Sequence, residues 1–253
     1  MGMVVECGKE NLRITNIIQY LKYKINFRKV HPYYFDGDGL LCFIGPQGSG
    51  KTLSAVNYVY KLMKQYPELK LCTNLLLRDY PVVTFEEFLK YRRDIIDKMK
   101  LDGMKEKCII DEIHKIYLRE NIVFPFVNND DFMKYSNGEK GIVYLVDEIQ
   151  LYLSSLESKN VNVDVITQIS QQRKQRKHIV TTSQVFGRMA KPLREQFSNV
   201  VLCKNFFGFI QRNSLIDRDS LDTESSSDTN ITGKVLRNIV WFHNPEMYKR
   251  YEL

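Results

Sequence analysis

The chain has 253 residues, 43% of them hydrophobic, which is enough apolar surface for the core of one large α/β domain or of two small ones. The longest apolar runs fall short of the roughly 18 residues that a membrane-spanning helix needs, and the N-terminus lacks a basic segment followed by an apolar one, so neither a transmembrane helix nor a signal peptide is expected. Lys and Arg (37) outnumber Asp and Glu (30), which gives a net charge of +7. This excess fits either a polyanionic partner or a generic lysine-rich surface.

The cysteines are odd in number, widely spaced and free of C-x-x-C pairs. Two of them stand in strand-like apolar runs. This pattern predicts reduced thiols in the core of an intracellular protein, and no metal site. The residues concerned are Cys7, Cys42, Cys72, Cys108 and Cys203.

Residues 1–39 form an N-terminal extension in which apolar residues from Leu12 to Leu21 are spaced as in an amphipathic helix. A basic and aromatic stretch follows at 22–29, and a glycine-rich turn at 36–39 leads into the next strand. Three interpretations of the basic stretch stay open: contact with a nucleic-acid backbone, contact with a neighbouring subunit, or simple packing over the domain.

A glycine loop between an apolar run at 40–44 and a helical pattern at 55–63 matches G-x-x-x-x-G-K-[ST] in the required strand, loop and helix context. Its glycines let backbone N–H groups turn toward a phosphate at a helix N-terminus, a lysine reaches the outer phosphates and a threonine hydroxyl can ligate Mg²⁺. A chance glycine turn before a helix is the alternative. The loop predicts ATP binding by Gly45, Pro46, Gln47, Gly48, Ser49, Gly50, Lys51 and Thr52.

A second strand is expected over 69–77, interrupted at Thr73 and Asn74. Residues 80–140 are the least regular part of the chain, and we interpret them as an insertion or lid over the site. Within this segment Thr84 and Glu87 have the spacing of a capping box and so predict the start of a helix.

A continuous apolar strand at 141–146 ends in Asp147 and Glu148. Open α/β sheets bind ligands beyond the carboxyl ends of their strands, so this pair is expected beside the glycine loop. Asp147 would orient Mg²⁺ and Glu148 would polarise the attacking water. A competing segment, 108–114, carries Asp111 and Glu112 after a shorter and less apolar run, and the first turn of an exposed helix is its alternative interpretation.

Residues 149–178 are expected to be helical and to end in the densest basic cluster of the chain. This cluster has three interpretations: Arg173 or Arg176 is an arginine finger for a neighbouring subunit, Lys174 and Lys177 face DNA phosphates, or the run is a solvated helix end. The strand at 179–182 leads to Gln184, which is either a sensor of the γ-phosphate or a residue that closes a turn.

The last part of the chain is expected to be rich in β-structure. A loop and short helix at 188–196 precede a strand at 199–204 and an aromatic, β-like segment at 206–210. The acidic, serine-rich stretch 220–228 is expected to be an exposed loop. A closing strand at 233–242 should pack Trp241 into the core. The predicted domains are therefore the extension at 1–39, an ATPase core at 40–213 and a C-terminal segment at 214–253.

Taken in order, these motifs resemble the ATPase domain of the zonular occludens toxin and filamentous-phage assembly family, a branch of the FtsK/HerA class of DNA-pumping ATPases. The residues that carry the resemblance are Gly45 to Thr52, Leu71 to Leu75, Leu145 to Glu148, Arg173 to Lys177, Thr181 to Gln184, Leu193 to Gln196, Val200 to Cys203 and the aromatic ending Trp241 to Tyr251.

The resemblance implies an α/β P-loop NTPase fold, with a mostly parallel sheet between helices, and an oligomeric ring that moves DNA with ATP and Mg²⁺. It implies nucleotide binding at Gly48, Gly50, Lys51 and Thr52, metal and water chemistry at Asp147 and Glu148, and sensing at Gln184. Arg173 or Arg176 would be the finger in trans.

One departure is that filamentous-phage assembly proteins carry a membrane-spanning segment after this domain, and none is seen here. The expectation is therefore a viral DNA-packaging motor of the host cytoplasm that docks on a capsid portal. The alternatives are an ATPase for the extrusion of filamentous virions, working with membrane assembly proteins, and a slow nucleotide-dependent switch or scaffold.

Overall fold

A computed structural model describes residues 14–37, 39–154, 163–217, 220 and 233–252. Cys7, the first residues of the predicted N-terminal helix and most of the predicted acidic loop lie outside these ranges. The chain forms two compact units, residues 1–34 and 35–253. Among the described helices, none combines the length and the apolar composition that a bilayer crossing needs.

The described part of the first unit contains one helix, α1 (Ile14–Val30). The helix runs without a break from the apolar stretch into the basic stretch at 22–29. Most of its described large apolar side chains, among them Ile17, Leu21 and Ile25, are exposed. Near the end of the helix, Phe27 stacks on His31 with ring centroids 4.6 Å apart.

The second unit is built on an eight-stranded sheet with the order β4-β2-β5-β6-β1-β7-β8-β9. The first six of these strands run parallel to their neighbours, and β8 and β9 are antiparallel additions. A separate pair joins β10 to β3. The strands are β1 (Leu40–Ile44), β2 (Lys70–Thr73), β3 (Leu76–Leu77), β4 (Val123–Pro125), β5 (Ile142–Val146), β6 (Lys177–Ser183), β7 (Phe197–Phe206), β8 (Ile210–Ile216), β9 (Val235–Phe242) and β10 (Tyr251–Glu252).

Helices cover both faces of this sheet, so the predicted fold class, a mostly parallel α/β sheet with a β-rich C-terminal end, is confirmed. Alternate residues of β5 enter the two cores: Tyr144 packs on one face, Leu145 on the other. The helices after α1 are α2 (Lys51–Gln65), α3 (Phe85–Tyr91), α4 (Arg93–Leu101), α5 (Glu106–Glu120), α6 (Asp131–Lys134), α7 (Val163–Ser170), α8 (Lys191–Arg194) and α9 (Pro245–Tyr248).

Residues 80–140 supply the helices α3, α4 and α5, then the edge strand β4 and the short helix α6. The predicted capping box is present, since the Glu87 N–H donates to the Thr84 hydroxyl and the Thr84 N–H donates to Glu87. The competing acidic segment lies inside α5, where Ile109 and Ile113 are buried at helical spacing.

Two expectations about the middle and the end of the chain are wrong. The basic cluster does not end a helix: α7 stops at Ser170, turns follow, and β6 already begins at Lys177. The aromatic segment 206–210 is not one strand: Phe206 ends β7, Ile210 begins β8, and Phe207 (φ 55°) and Gly208 (φ 80°) form the left-handed turn between them.

The described cysteines are free thiols. Cys42, Cys72 and Cys203 are buried in the sheet, and burial raises the pKa of each thiol. Cys108 is exposed on α5, so its predicted place in the core is wrong.

Candidate functional site

The glycine loop turns sharply between β1 and α2, and its geometry requires glycine. Gly48 and Gly50 have φ angles of 76° and 79°. A Cβ atom on Gly45 would lie 2.6 Å from Ser49 Oγ. The Ser49 hydroxyl is buried and has no hydrogen-bond partner in the described part of the chain. The loop therefore places a polar turn at the N-terminus of a fifteen-residue helix, where an anion is favoured.

Thr52 and Asp147 meet at the carboxyl edge of the sheet, as predicted from their places in the sequence. The Thr52 hydroxyl donates to Asp147 Oδ1 at 2.9 Å, and the Thr182 hydroxyl donates to the same oxygen at 2.7 Å. Burial raises the pKa of Asp147, and the two hydroxyl donors oppose that rise. A carboxylate and a hydroxyl side by side are the hard oxygen donors that Mg²⁺ prefers, so the residues present fit this ion.

Asn74 braces Asp147, a role that the sequence analysis did not assign. Its amide nitrogen donates to the Asp147 carbonyl at 3.0 Å, and its amide oxygen accepts from the Asp147 N–H at 2.9 Å. Asn74 follows β2, the neighbour of β5 in the sheet. A polar residue at the carboxyl end of a parallel strand was the signal that could have identified it.

Glu148 lies in the centre of a polar cluster and has a strained backbone, with φ 51° and ψ 54°. Its Oε1 atom is 3.7 Å from Lys51 Nζ and accepts from Gln184 Nε2 at 3.4 Å. Gln150 donates to its other oxygen. The Glu148 N–H donates to the Thr182 hydroxyl at 2.9 Å. The structure thus brings together Lys51, Glu148 and Gln184.

Arg173 and Arg176 lie elsewhere. They precede β6, a seven-residue strand whose other end carries the site, so the two arginines are roughly 20 Å away along the strand. Arg176 lies 3.8 Å from Asp36, and Arg173 is exposed. Lys177 is buried, and its ammonium group donates to the Phe132 carbonyl. The interpretation that Lys177 faces DNA is therefore wrong.

A second set of residues that sequence reasoning missed supports the glycine loop from β8. Gln211, fully buried, donates through Nε2 to the Ser49 carbonyl and to Asn213 Oδ1, both at 2.9 Å. His243 Nε2 lies 3.2 Å from Gln211 Oε1, and burial lowers the pKa of His243. The pairing of β8 with β7 and with β9 brings these residues to the loop, and no local motif marks them.

The sequence matches no family model and no curated protein. Solved structures that resemble the fold include the following three. The N-terminal domain of zonular occludens toxin from Neisseria meningitidis is 16% identical, with a TM-score of 0.47 over 85% of this chain and 99% of that one. The genome packaging NTPase B204 from Sulfolobus turreted icosahedral virus 2 is 10% identical, with a TM-score of 0.47 over 82% and 98%. The third structure, of an ATPase domain, is 11% identical, with a TM-score of 0.45 over 95% and 98%.

The described architecture unites the elements of one site. The glycine loop joins β1 to α2, an acidic pair follows the buried strand β5, and Gln184 follows β6 between them. All of these residues stand at the carboxyl edge of the parallel strands, where such sheets bind ligands. The protein has the fold of a P-loop NTPase.

Proposed function

We propose that this protein hydrolyses ATP to move DNA, as a homo-oligomeric ring that packages a viral genome. The observation that carries the enzymatic part is the Thr52–Asp147 hydrogen bond, with Lys51 and Gln184 on the neighbouring Glu148. Residues from separate parts of the chain converge there on one small volume. Such a group of acidic, basic and hydroxyl side chains suits hydrolysis of a nucleotide phosphate.

The glycine loop would hold the phosphates. Backbone N–H groups of residues 48–52 and the ammonium group of Lys51 supply positive charge where the outer phosphates would lie. Lys51 is only 7% exposed, so water screens its charge weakly. Thr52 and Asp147 would hold Mg²⁺, which when bound would offset negative charge on the phosphate oxygens.

Glu148 would be the general base. Its carboxylate contacts Lys51, Gln150 and Gln184. Lys51 would turn to a bound phosphate, and this would leave Glu148 free to orient and deprotonate a water. Gln184, bonded to Glu148 at the tip of β6, would report the state of the γ-phosphate to the rest of the protein.

Charge supports DNA as the partner. The net charge is +7, and α1 carries Lys22, Lys24, Arg28 and Lys29 without an acidic residue. Cations of this kind bind phosphate backbones with little sequence preference. Packaging, in the host cytoplasm at a capsid portal, is the form of DNA transport that we propose.

We predict that DNA raises ATP turnover. Lys51→Ala should lower ATP turnover by about 100-fold or more, because the phosphates lose their principal cation. Phosphate release with and without double-stranded DNA measures both effects. Lys64→Ala is the matched control, since Lys64 is exposed on the same helix and should leave turnover unchanged. Turnover that DNA does not change would contradict a DNA motor.

A further inference from the structure

A cavity of about 340 Å³ lies behind the glycine loop helix, between α2 and the face formed by β1, β7, β8 and β9. This volume is at the lower end of the range of small-molecule sites. Its apolar lining comes from side chains of all four strands, namely Leu41, Phe43, Val201, Leu215, Ile239 and Trp241. The cavity is separate from the candidate nucleotide site, which lies at the carboxyl edge of the sheet.

The polar side chains that line the cavity are two cations, three amides and the hydroxyls of Ser54 and Tyr58. Lys61 and Arg237 are exposed lining residues, and no Asp or Glu is among the described residues that line the cavity. On its inner wall, Asn213 Oδ1 accepts from both Ser54 Oγ (3.2 Å) and Gln211 Nε2 (2.9 Å). This fixes the orientation of the amide and leaves the nitrogen of Asn213 as a donor to whatever enters.

We propose that this cavity binds an amphipathic anion, a small molecule with an apolar or aromatic body and a carboxylate group. The body would pack against the apolar strands, and the carboxylate would lie between Lys61 and Arg237, where the excess of donors complements its charge. This site does not depend on the proposed function, because none of its residues has been assigned to nucleotide chemistry.

Trp241 provides the test, since it lines the cavity and is the only tryptophan in the chain. Without nucleotide, 1-anilinonaphthalene-8-sulfonate, an aromatic anion, should quench Trp241 by energy transfer, saturate at one site per chain and be displaced by decanoate. Arg237→Glu and, separately, Lys61→Glu should each weaken binding about tenfold. Arg212→Glu is the matched control, because Arg212 bonds Asn238 on the opposite face of the sheet and should leave binding unchanged.

Three results would overturn the proposal. In the first, the probe still binds Arg237→Glu and Lys61→Glu but does not bind Val240→Ser, which would locate it on the opposite face of β9. A probe that decanoate fails to displace would show apolar binding without carboxylate recognition. If Arg237→Glu changes the sedimentation coefficient along with probe binding, the surface is a contact between copies of the chain. Circular dichroism melts would establish that each variant is folded.

Discussion

Asp147 is buried, which favours its protonated form, but its proposed role as a metal ligand requires the ionised form. Burial raises its pKa in the folded protein. Between the ordinary pKa of an aspartate and this raised value, the unfolded chain is ionised and the folded chain keeps its proton. The free energy of unfolding therefore falls as pH rises through that window, and the loss persists at neutral pH.

We predict that Asp147→Asn raises the melting temperature at pH 7 in the absence of nucleotide and removes this fall with pH. The asparagine oxygen can still accept from Thr52 and Thr182, so the hydrogen bonds remain while the buried charge is lost. The same variant should lower Mg²⁺-dependent hydrolysis by about 100-fold. Melting curves between pH 3 and 8 and phosphate-release assays measure the two effects.

Asp111→Asn is the control, because Asp111 is exposed on α5. It should change neither melting temperature nor hydrolysis. The opposite pattern, with activity lost at Asp111 and kept at Asp147, would refute the assignment of the acidic pair.

Asn74 should matter for activity more than for stability. Asn74→Ala removes both hydrogen bonds to the Asp147 backbone, and we expect a loss of about tenfold or more in kcat because the carboxylate is no longer held in place. Asn137→Ala is a matched comparison. The Asn137 amide donates to the Gly141 carbonyl at the amino end of β5, the strand that Asp147 follows. This variant should lower stability to a similar degree and leave kcat unchanged. Equal losses of kcat in the two variants would rule out a specific role for Asn74.

At the level of elements, the antiparallel hairpin of β7 and β8 is what stiffens the glycine loop. Gln211→Ala would leave the buried Ser49 carbonyl without its donor, at a cost of about 1–3 kcal/mol. We expect KM for ATP to rise about tenfold with a smaller change in kcat, because the loop loses its support before phosphate binds. Arg212→Ala, one residue along the strand and exposed, should alter neither constant. A fall in kcat with unchanged KM would argue against this supporting role.

Sequence patterns predicted the elements whose signals are local. The glycine loop, the apolar strand before Asp147 and the capping box at Thr84 each follow from neighbouring residues, and each is found where the pattern indicated. The segment around Asp111 has residue types similar to those around Asp147, but Ile109 and Ile113 are four positions apart, the spacing of one helix face. This i, i+4 spacing of the isoleucines was a signal for a helix rather than a strand.

Features that depend on sheet register were not predictable. Gln211 and His243 lie 32 positions apart, and only the pairing of β8 with β9 brings them together under the loop. Trp241 was expected in the core, yet β9 is an edge strand, so this side chain borders an open cavity and is only partly buried. Such positions are set by long-range pairing rather than by local pattern.

At the scale of the whole molecule, the proposed hydrolysis would gain from a further cation beside the transferred phosphate, in addition to Lys51 and Mg²⁺. Arg173 is exposed, but it stands at the amino end of β6 while its own site is at the carboxyl end. The length of that strand prevents the arginine from serving its own subunit. A catalytic role for Arg173 therefore requires that it act on the nucleotide of a neighbouring subunit in the proposed ring.

Mixing inactive subunits tests this arrangement. Arg173→Ala and Glu148→Gln rings should each be nearly inactive. A mixed ring would contain interfaces with an intact Glu148 on one side and an intact Arg173 on the other. With random mixing at equal amounts, about a quarter of all interfaces would be intact in this way. If the sites hydrolyse ATP independently, turnover should therefore recover to roughly a quarter of the wild-type rate. Arg176→Ala is tested in the same way, and failure of both arginine variants to restore turnover would reject catalysis in trans.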